Sequence, residues 1–303
     1  MAISRSQLVK ELEPGLNALF GLEYKRYENQ STEIYTTESS DRAFEEEVML
    51  SGFANAQVKG EGAGVSFDEA QETFTARYTH ETIALAFAIT EEAIEDNLYD
   101  RISSRYTKAL ARSMSNAKQV KAVQPLINGL PSTATFKSGD AKALFTTNHP
   151  TVAGTFSNTL TTQADLNETS LEQSLIDIGK MTDERGLKVA ARGVKMIVPS
   201  ENQFNAERLM KSAGRTGTAD NDINAIASMG MIPQGYRVNN YLTDTDSFYI
   251  VTDVPNGMKM FSRAPLTTAM EGDFDTGNVR YKARERYSFG VSDPRGIYGV
   301  EGA

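Results

Sequence analysis

The chain of 303 residues contains no cysteine and only two histidines, His80 and His149. Without cysteine there is no disulfide framework, no thiolate metal site and no cysteine nucleophile. Two histidines far apart leave little room for a Ser/His/Asp triad, and no Gly-x-Ser-x-Gly elbow occurs. Long hydrophobic runs are missing as well. The most apolar stretch, 83–89, is far too short to span a bilayer, and the N-terminus has no apolar segment of signal-peptide length. These absences predict a soluble protein of intracellular origin with no membrane partner. Basic residues are the minority charge: 31 Lys and Arg against 40 Asp and Glu give a net charge of −9. That argues against a dedicated nucleic-acid binder. It does not exclude a protein that encloses nucleic acid without gripping it.

What is present is enough for a core. The chain is 40% hydrophobic and 23% charged, which predicts one large domain or two modest ones rather than global disorder. Residues 5–27 read as an amphipathic helix (Leu8, Leu12, Leu16, Leu19, Phe20, Tyr24) that Pro14-Gly15 breaks or kinks. Residues 38–80 alternate in short runs around Gly52, Gly60, Gly62 and Gly64, which predicts a long hairpin with a flexible tip near 55–65. Few large apolar residues lie in it, so it is expected to be mobile or laid on a neighbouring subunit. Thr90 to about Asn128 is the strongest helical segment. Thr90 is placed as N-cap, with Glu91, Glu92 and Glu95 at the positive end of the dipole. Ile94, Leu98, Ile102, Tyr106, Leu110 and Met114 step by four, as in one long helix crossing several neighbours, and Pro125 and Gly129 are expected to end it. Loops and short strands follow over 131–163. Helices at 169–183, 203–212 and 223–229 then alternate with strands at 189–198, 236–242 and 247–252. The class is α+β or α/β in the middle of the chain and α+β overall.

Candidate chemical sites each have a plainer explanation. Gly60-Glu61-Gly62-Ala63-Gly64 lacks the Gly-Lys-Ser/Thr ending of a phosphate loop and fits a hairpin tip. His149, in Thr146-Thr147-Asn148-His149-Pro150, fits a turn residue before proline better than a catalytic group. Asp244-x-Asp246 and Asp273-x-Asp275-x-Gly277 do not continue into a calcium loop and fit solvated turns. No catalytic, metal or cofactor site is therefore expected.

The most informative stretch is 279–290. Val279, Tyr281, Ala283, Tyr287 and Phe289 fall on one face of a strand; Arg280, Lys282, Arg284 and Arg286 fall on the other. Three readings of the cations stand open: a solvated outer face, salt bridges to acidic residues of a neighbour, or a weak, sequence-independent attraction for phosphate. Glu45-Glu46-Glu47 is either a solvated run or the acidic counterpart on another subunit.

Three groups of residues carry a resemblance. They are Thr182-Asp183-Glu184-Arg185-Gly186-Leu187-Lys188, then Ile197-Val198-Pro199-Ser200 with Ala206-Glu207-Arg208-Leu209, then the closing segments 239–242, 247–253 and 284–296. In this order the chain resembles the Mu-like major head subunit branch of tailed-bacteriophage major capsid proteins, over nearly its whole length. The resemblance implies the Hong-Kong-97-type shell fold. It implies an N-terminal arm (1–37), an extended loop (38–80), a peripheral domain (81–134, with a spine helix at about 90–128), an axial domain (135–256), and closing strands of the peripheral domain (257–303). It implies a structural, non-enzymatic function: self-assembly into hexamers and pentamers of an icosahedral head around double-stranded DNA. The virion would be its location, after assembly in the bacterial host cytoplasm. Portal, scaffolding and decoration proteins would be its other partners. Because the sequence enters the arm almost at once, a separate scaffolding protein, or none, is expected. Glu45, Glu46 and Glu47 facing Arg280, Lys282, Arg284 and Arg286 across adjacent subunits are the interface residues it suggests. An encapsulin-like compartment, a repeated tail component and an enzyme of unknown class are the rival readings.

Overall fold

A computed structural model of the chain describes residues 5–90, 92–93, 99–215, 222–273 and 277–303. The fold is α+β, and two four-stranded sheets carry it. In the first, β1 (Thr36–Ser39), β10 (Met258–Gly272), β11 (Val279–Val291) and β4 (Glu81–Ile89) lie side by side in that order. The second runs β12 (Ile297–Val300), β9 (Phe248–Thr252), β7 (Gly193–Val198) and β8 (Tyr236–Val238). The first sheet is covered on one face by α1 (Arg5–Arg26) and α2 (Tyr99–Asn128), through Leu16, Phe20, Leu110, Ala111, Met114, Tyr281 and Ala283. The second packs on α3 (Glu168–Lys180), α4 (Gln203–Lys211) and α5 (Ala225–Met229). A third cluster joins them: Ala122, Val123 and Leu126 of α2 meet Met258, Met260 and Tyr287 of the first sheet and Ile197, Tyr249 and Ile297 of the second.

α2 is the spine of this arrangement. Its 30 residues span about 45 Å at 1.5 Å per residue. Thr90 Oγ1 accepts the amide of Ala93, but α2 itself is described only from Tyr99. The side chains of Ile94, Leu98 and Ile102, and Glu91 and Glu95, lie outside the described residues. The stripe of four-residue steps holds at Leu110 and Met114 and fails at Tyr106. Tyr106 is exposed, and the buried stripe runs instead through Ser103, Thr107, Leu110, Met114, Ala122 and Leu126. Four residues turn a helix by 400°, so a strict four-step stripe leaves the core within a few turns.

Pro125 lies inside α2, not at its end. Proline removes a single backbone donor, and burial of Ala122, Val123 and Leu126 against both sheets outweighs that loss. The Tyr35 hydroxyl donates to the Ala122 carbonyl at 2.6 Å in the same turn. Pro14 is likewise inside α1, with Leu16 and Phe20 packed beyond it. The helix of α2 stops before Gly129, where a Cβ would lie 2.6 Å from both Leu144 Cβ and the Pro125 carbonyl oxygen.

Residues 38–80 form the expected hairpin, with a shorter ladder than its length suggests. β2 (Phe44–Leu50) pairs with β3 (Glu72–Thr79), and 51–71 carries no strand. Gly62, at φ +78°, sits in the turn that Ala63 closes by donating to the Gly60 carbonyl. The chain's end departs from the grouping of 257–303 with the first sheet. A short 3-10 turn (Pro294–Gly296), capped by Asp293, redirects it so that β12 pairs with β9. Gly257 and Gly296 cross there so closely that a Cβ on Gly296 would lie 2.3 Å from Gly257 Cα.

Candidate assembly interface

β11 is the central element. It pairs antiparallel with β10 on one side and β4 on the other, and directly paired residues share a face. On the inner face Tyr281, Ala283, Glu285 and Tyr287 are buried, beside Phe87, Leu85, Ile83 and Glu81 of β4. On the outer face Arg280, Lys282, Arg284 and Arg286 form one row, as their spacing requires. The neighbours of that row are small. Lys282 lies between Ala86 and Ala269, and Arg284 between Ala84 and Thr267. Only Arg280 has an ion pair among the described residues, with Asp273 at the end of the β10–β11 hairpin. Arg286 is half-buried and its Nε has no hydrogen-bond partner.

The acidic run divides by strand parity. Glu45 and Glu47 point inward and Glu46 outward, because neighbouring strand residues face opposite ways. Glu45 accepts from Ser40 Oγ at 2.7 Å. Glu47 is tied to the body: Lys259 Nζ donates to it at 2.5 Å, and Ser292 Oγ donates to its other oxygen. Glu46 makes a long pair with Arg77, 3.7 Å, on the exposed side. The structure thus brings the basic row together, separates the three acids, and shows no ion pair between the row and the acids among the described residues.

The outward face of the hairpin is apolar for its exposure. Phe44, Val48 and Leu50 are exposed along β2. In the tip Phe53 is 61%, Val58 100% and Phe67 98% exposed. A folded chain that stops at one copy rarely shows such surface.

Comparison with known proteins gives the chain a family. A family model described as phage capsid protein matches residues 72–300. The chain belongs to that family. Among solved structures, the fold is similar to the capsid of an empty GTA particle (TM-score 0.59, 13% identity, 91% of this chain and 90% of that one). It is also similar to the capsid of Myoviridae phage XM1 (TM-score 0.53, 11% identity, 89% of both chains). A third likeness is to a virus-like particle from Pyrococcus furiosus (TM-score 0.52, 11% identity, 94% of this chain and 98% of that one). No curated protein matches the chain by sequence. The phage capsid chain therefore has the Hong-Kong-97-type fold and serves as a major capsid protein.

Several polar groups of this capsid chain escape a reading by residue type. His149 is fully buried in a two-stranded ribbon, not in an open turn. Its Nδ1 lies 2.6 Å from Asp140 and its Nε2 3.1 Å from Asn158 Oδ1. Burial raises the Asp140 carboxyl, but hydrogen bonds from His149 and Ser138 more than offset that and leave it below the usual range. Glu285 sits among the apolar residues of β11. Burial raises its carboxyl, opposed by Lys118 of α2 at 3.4 Å. Period-two parity points to Glu285; a search by residue type passes over it. The Asp244 carboxylate accepts the Asp246 amide as a plain turn does, and residues 274–276 of the second acidic pair lie outside the described residues. No group of three or more acidic, histidine or cysteine side chains among the described residues is arranged for a metal.

Proposed function

We propose that many copies of this chain tile an icosahedral head as hexamers and pentamers around double-stranded DNA. The hairpin carries this reading: a limb anchored at its base by Lys259 and bare of apolar cover at its tip is built to lie on a neighbour. Residues 1–37 act as the arm and 38–80 as the extended loop. α2 and the first sheet form the peripheral domain, and the second sheet with its helices forms the axial domain near the capsomer's symmetry axis. The order of the segments at 182–209 supports placing it in the Mu-like major head subunit branch. Portal and scaffolding proteins are its expected partners, with decoration proteins on the outside. The role is structural, in the virion, after assembly in the host cytoplasm.

Across subunits, Glu45, Glu46 and Glu47 face Arg280, Lys282, Arg284 and Arg286. Glu46 is the acid most available for this, since Glu45 and Glu47 already bond inside the subunit. Such contacts set register and partner choice more than affinity.

The test is to express the chain alone and view the sized product by negative-stain electron microscopy. Closed shells, or rings of five and six, are the expected result. Tubes would favour the tail component, and a monomer under all conditions would sink self-assembly without a scaffold. Shells that enclose an enzyme in place of DNA in infected cells would favour the encapsulin-like compartment.

A further inference from the structure

Two arginines stand together in the first sheet with no acid to match them. Arg286 of β11 is paired with Ala264 of β10 on one side and Thr82 of β4 on the other. The β10–β11 ladder slips between Ser262 and Ala264, and Arg263 is the extra residue. A bulge of this kind re-aims the side chain it carries. Both arginines are half-buried. Neither has an ion pair or a hydrogen bond among the described residues, and the Nε of each is shut off from solvent without a partner. Lys259, four residues before Arg263 on the same strand, is treated differently. It has two carboxylates, those of Glu38 and Glu47.

His80 completes the group. It is buried between Ser40 and Ser288. The charges of Arg286 and Arg263 both lower its affinity for a proton, which places both guanidiniums near one ring. Glu45 opposes them there, and it already accepts from Ser40 Oγ. Like charges brought together partly out of water repel and lose hydration. Buried donors without partners call for a cause. One anion between the two guanidiniums supplies it. The number of donors restricts its chemistry. A carboxylate brings one charge and two oxygens. A phosphate brings up to two charges and four oxygens, so it can match both arginines and accept a fork of hydrogen bonds from each.

We propose that Arg263 and Arg286 bind a phosphate group, held between their guanidiniums beside His80. The site is complete within one subunit, so the proposal stands apart from the shell reading. Free inorganic phosphate and the backbone phosphate of nucleic acid offer the same chemistry, and the test separates them.

Inorganic phosphate would be titrated into the purified chain by calorimetry, at fixed ionic strength in a phosphate-free chloride buffer. One saturable site per chain is expected. Arg263→Gln and Arg286→Gln should each weaken it about tenfold or more, as loss of a charged hydrogen bond requires. Arg105→Gln, on the exposed side of α2, should leave it unchanged. Melting curves give a second reading. Without phosphate the variants at 263 and 286 should melt no lower than the parent, since each removes one of two neighbouring like charges. With phosphate added the parent should gain more than either variant. No saturable site, or one that survives both substitutions, would overturn the proposal. So would a clear fall in the melting temperature of both variants without phosphate, because the arginines would then be matched inside the subunit already. Acetate that binds as tightly as phosphate would also overturn it and give the site to a carboxylate of a second copy. A short DNA duplex that competes with phosphate would make the nucleic-acid backbone the source. A duplex that leaves phosphate binding untouched would make the source free phosphate.

Discussion

Two sets of arginines in this chain are treated in opposite ways. Arg295 is buried and answered on every side. It donates to Glu184 at 2.7 Å, to Asp293 at 3.2 Å and to the Thr182 carbonyl at 2.8 Å, with its guanidinium over the Phe156 ring. The row on β11 is open, and Lys282 and Arg284 have no ion pair among the described residues. A buried charge has to be matched within the subunit, because leaving it unpaired costs several kcal/mol. An exposed charge costs little unmatched, so it is free to serve a neighbour. Matched and unmatched charge thus separate what holds the subunit from what joins subunits.

The largest effect is expected where the matching is complete. Arg295→Met would leave Glu184 and Asp293 without their cation. The Asp293 carboxyl is already raised by burial, with Arg295 opposing the rise, so the variant folds with carboxyls driven further toward the neutral form. A loss of about 3–5 kcal/mol is expected, read as a lower melting temperature by calorimetry. A fall of less than about 1 kcal/mol would mean that water reaches the site and that the match is not what holds it.

Lys259→Met should have a smaller and more local effect. Burial lowers the ammonium, but hydrogen bonds to Glu47 and Glu38, and their charges, more than offset it, so the group is held above the ordinary lysine value. Without it Glu47 keeps Ser292 alone. About 1.5–3 kcal/mol is at stake, concentrated at the hairpin base. Hydrogen exchange should quicken in β2 and β3 and stay unchanged in β7 and β9. Uniform quickening would show that Lys259 serves the whole fold.

Arg284→Glu tests the open row. Its stability should stay within about 0.5 kcal/mol of the parent chain, as for most surface changes, while the yield of shells collapses. An undiminished yield would make the row a solvated face.

Much of this was readable beforehand where a single periodicity decides the outcome. The alternation of β11 and the glycine-tipped hairpin both follow from local pattern. What was not readable depends on packing between distant segments. Whether Pro125 ends a helix is settled by Leu126 and Val123 meeting two sheets. Whether Glu47 is free is settled by Lys259, more than 200 residues away in sequence. β12 leaves the first sheet because two glycine backbones cross at 257 and 296, which no pattern in 284–300 announces. Three adjacent acids look like one patch in the sequence until strand parity assigns them to two faces.

The smallest effect expected is a response to pH at the hairpin base. His80 is buried between Ser40 Oγ, 2.9 Å from Nε2, and Ser288 Oγ, 3.0 Å from Nδ1. Burial lowers its affinity for a proton. Arg286 on β11 and Arg263 on β10 lower it further, and Glu45 on β2 opposes them. The folded value therefore lies below the ordinary 6.5. As pH falls through 6.5 the unfolded chain takes up its proton first, so the stability His80 confers is complete above that value and is lost toward the lower, folded one. Glu285 has the opposite sign. Its folded value lies above the ordinary 4.5, so its burial costs stability as pH rises through that range and the cost disappears on acidification. The two responses can be told apart on the unassembled chain by the protection of β2 amides, each exchange rate divided by the intrinsic base-catalysed rate at its pH, at about pH 7.5 and about pH 5.5. His80→Gln should abolish the loss of protection at the lower pH, and Glu285→Gln should leave it in place. If the glutamine variant at 80 still loosens on acidification, the base of the hairpin answers to some group other than its histidine.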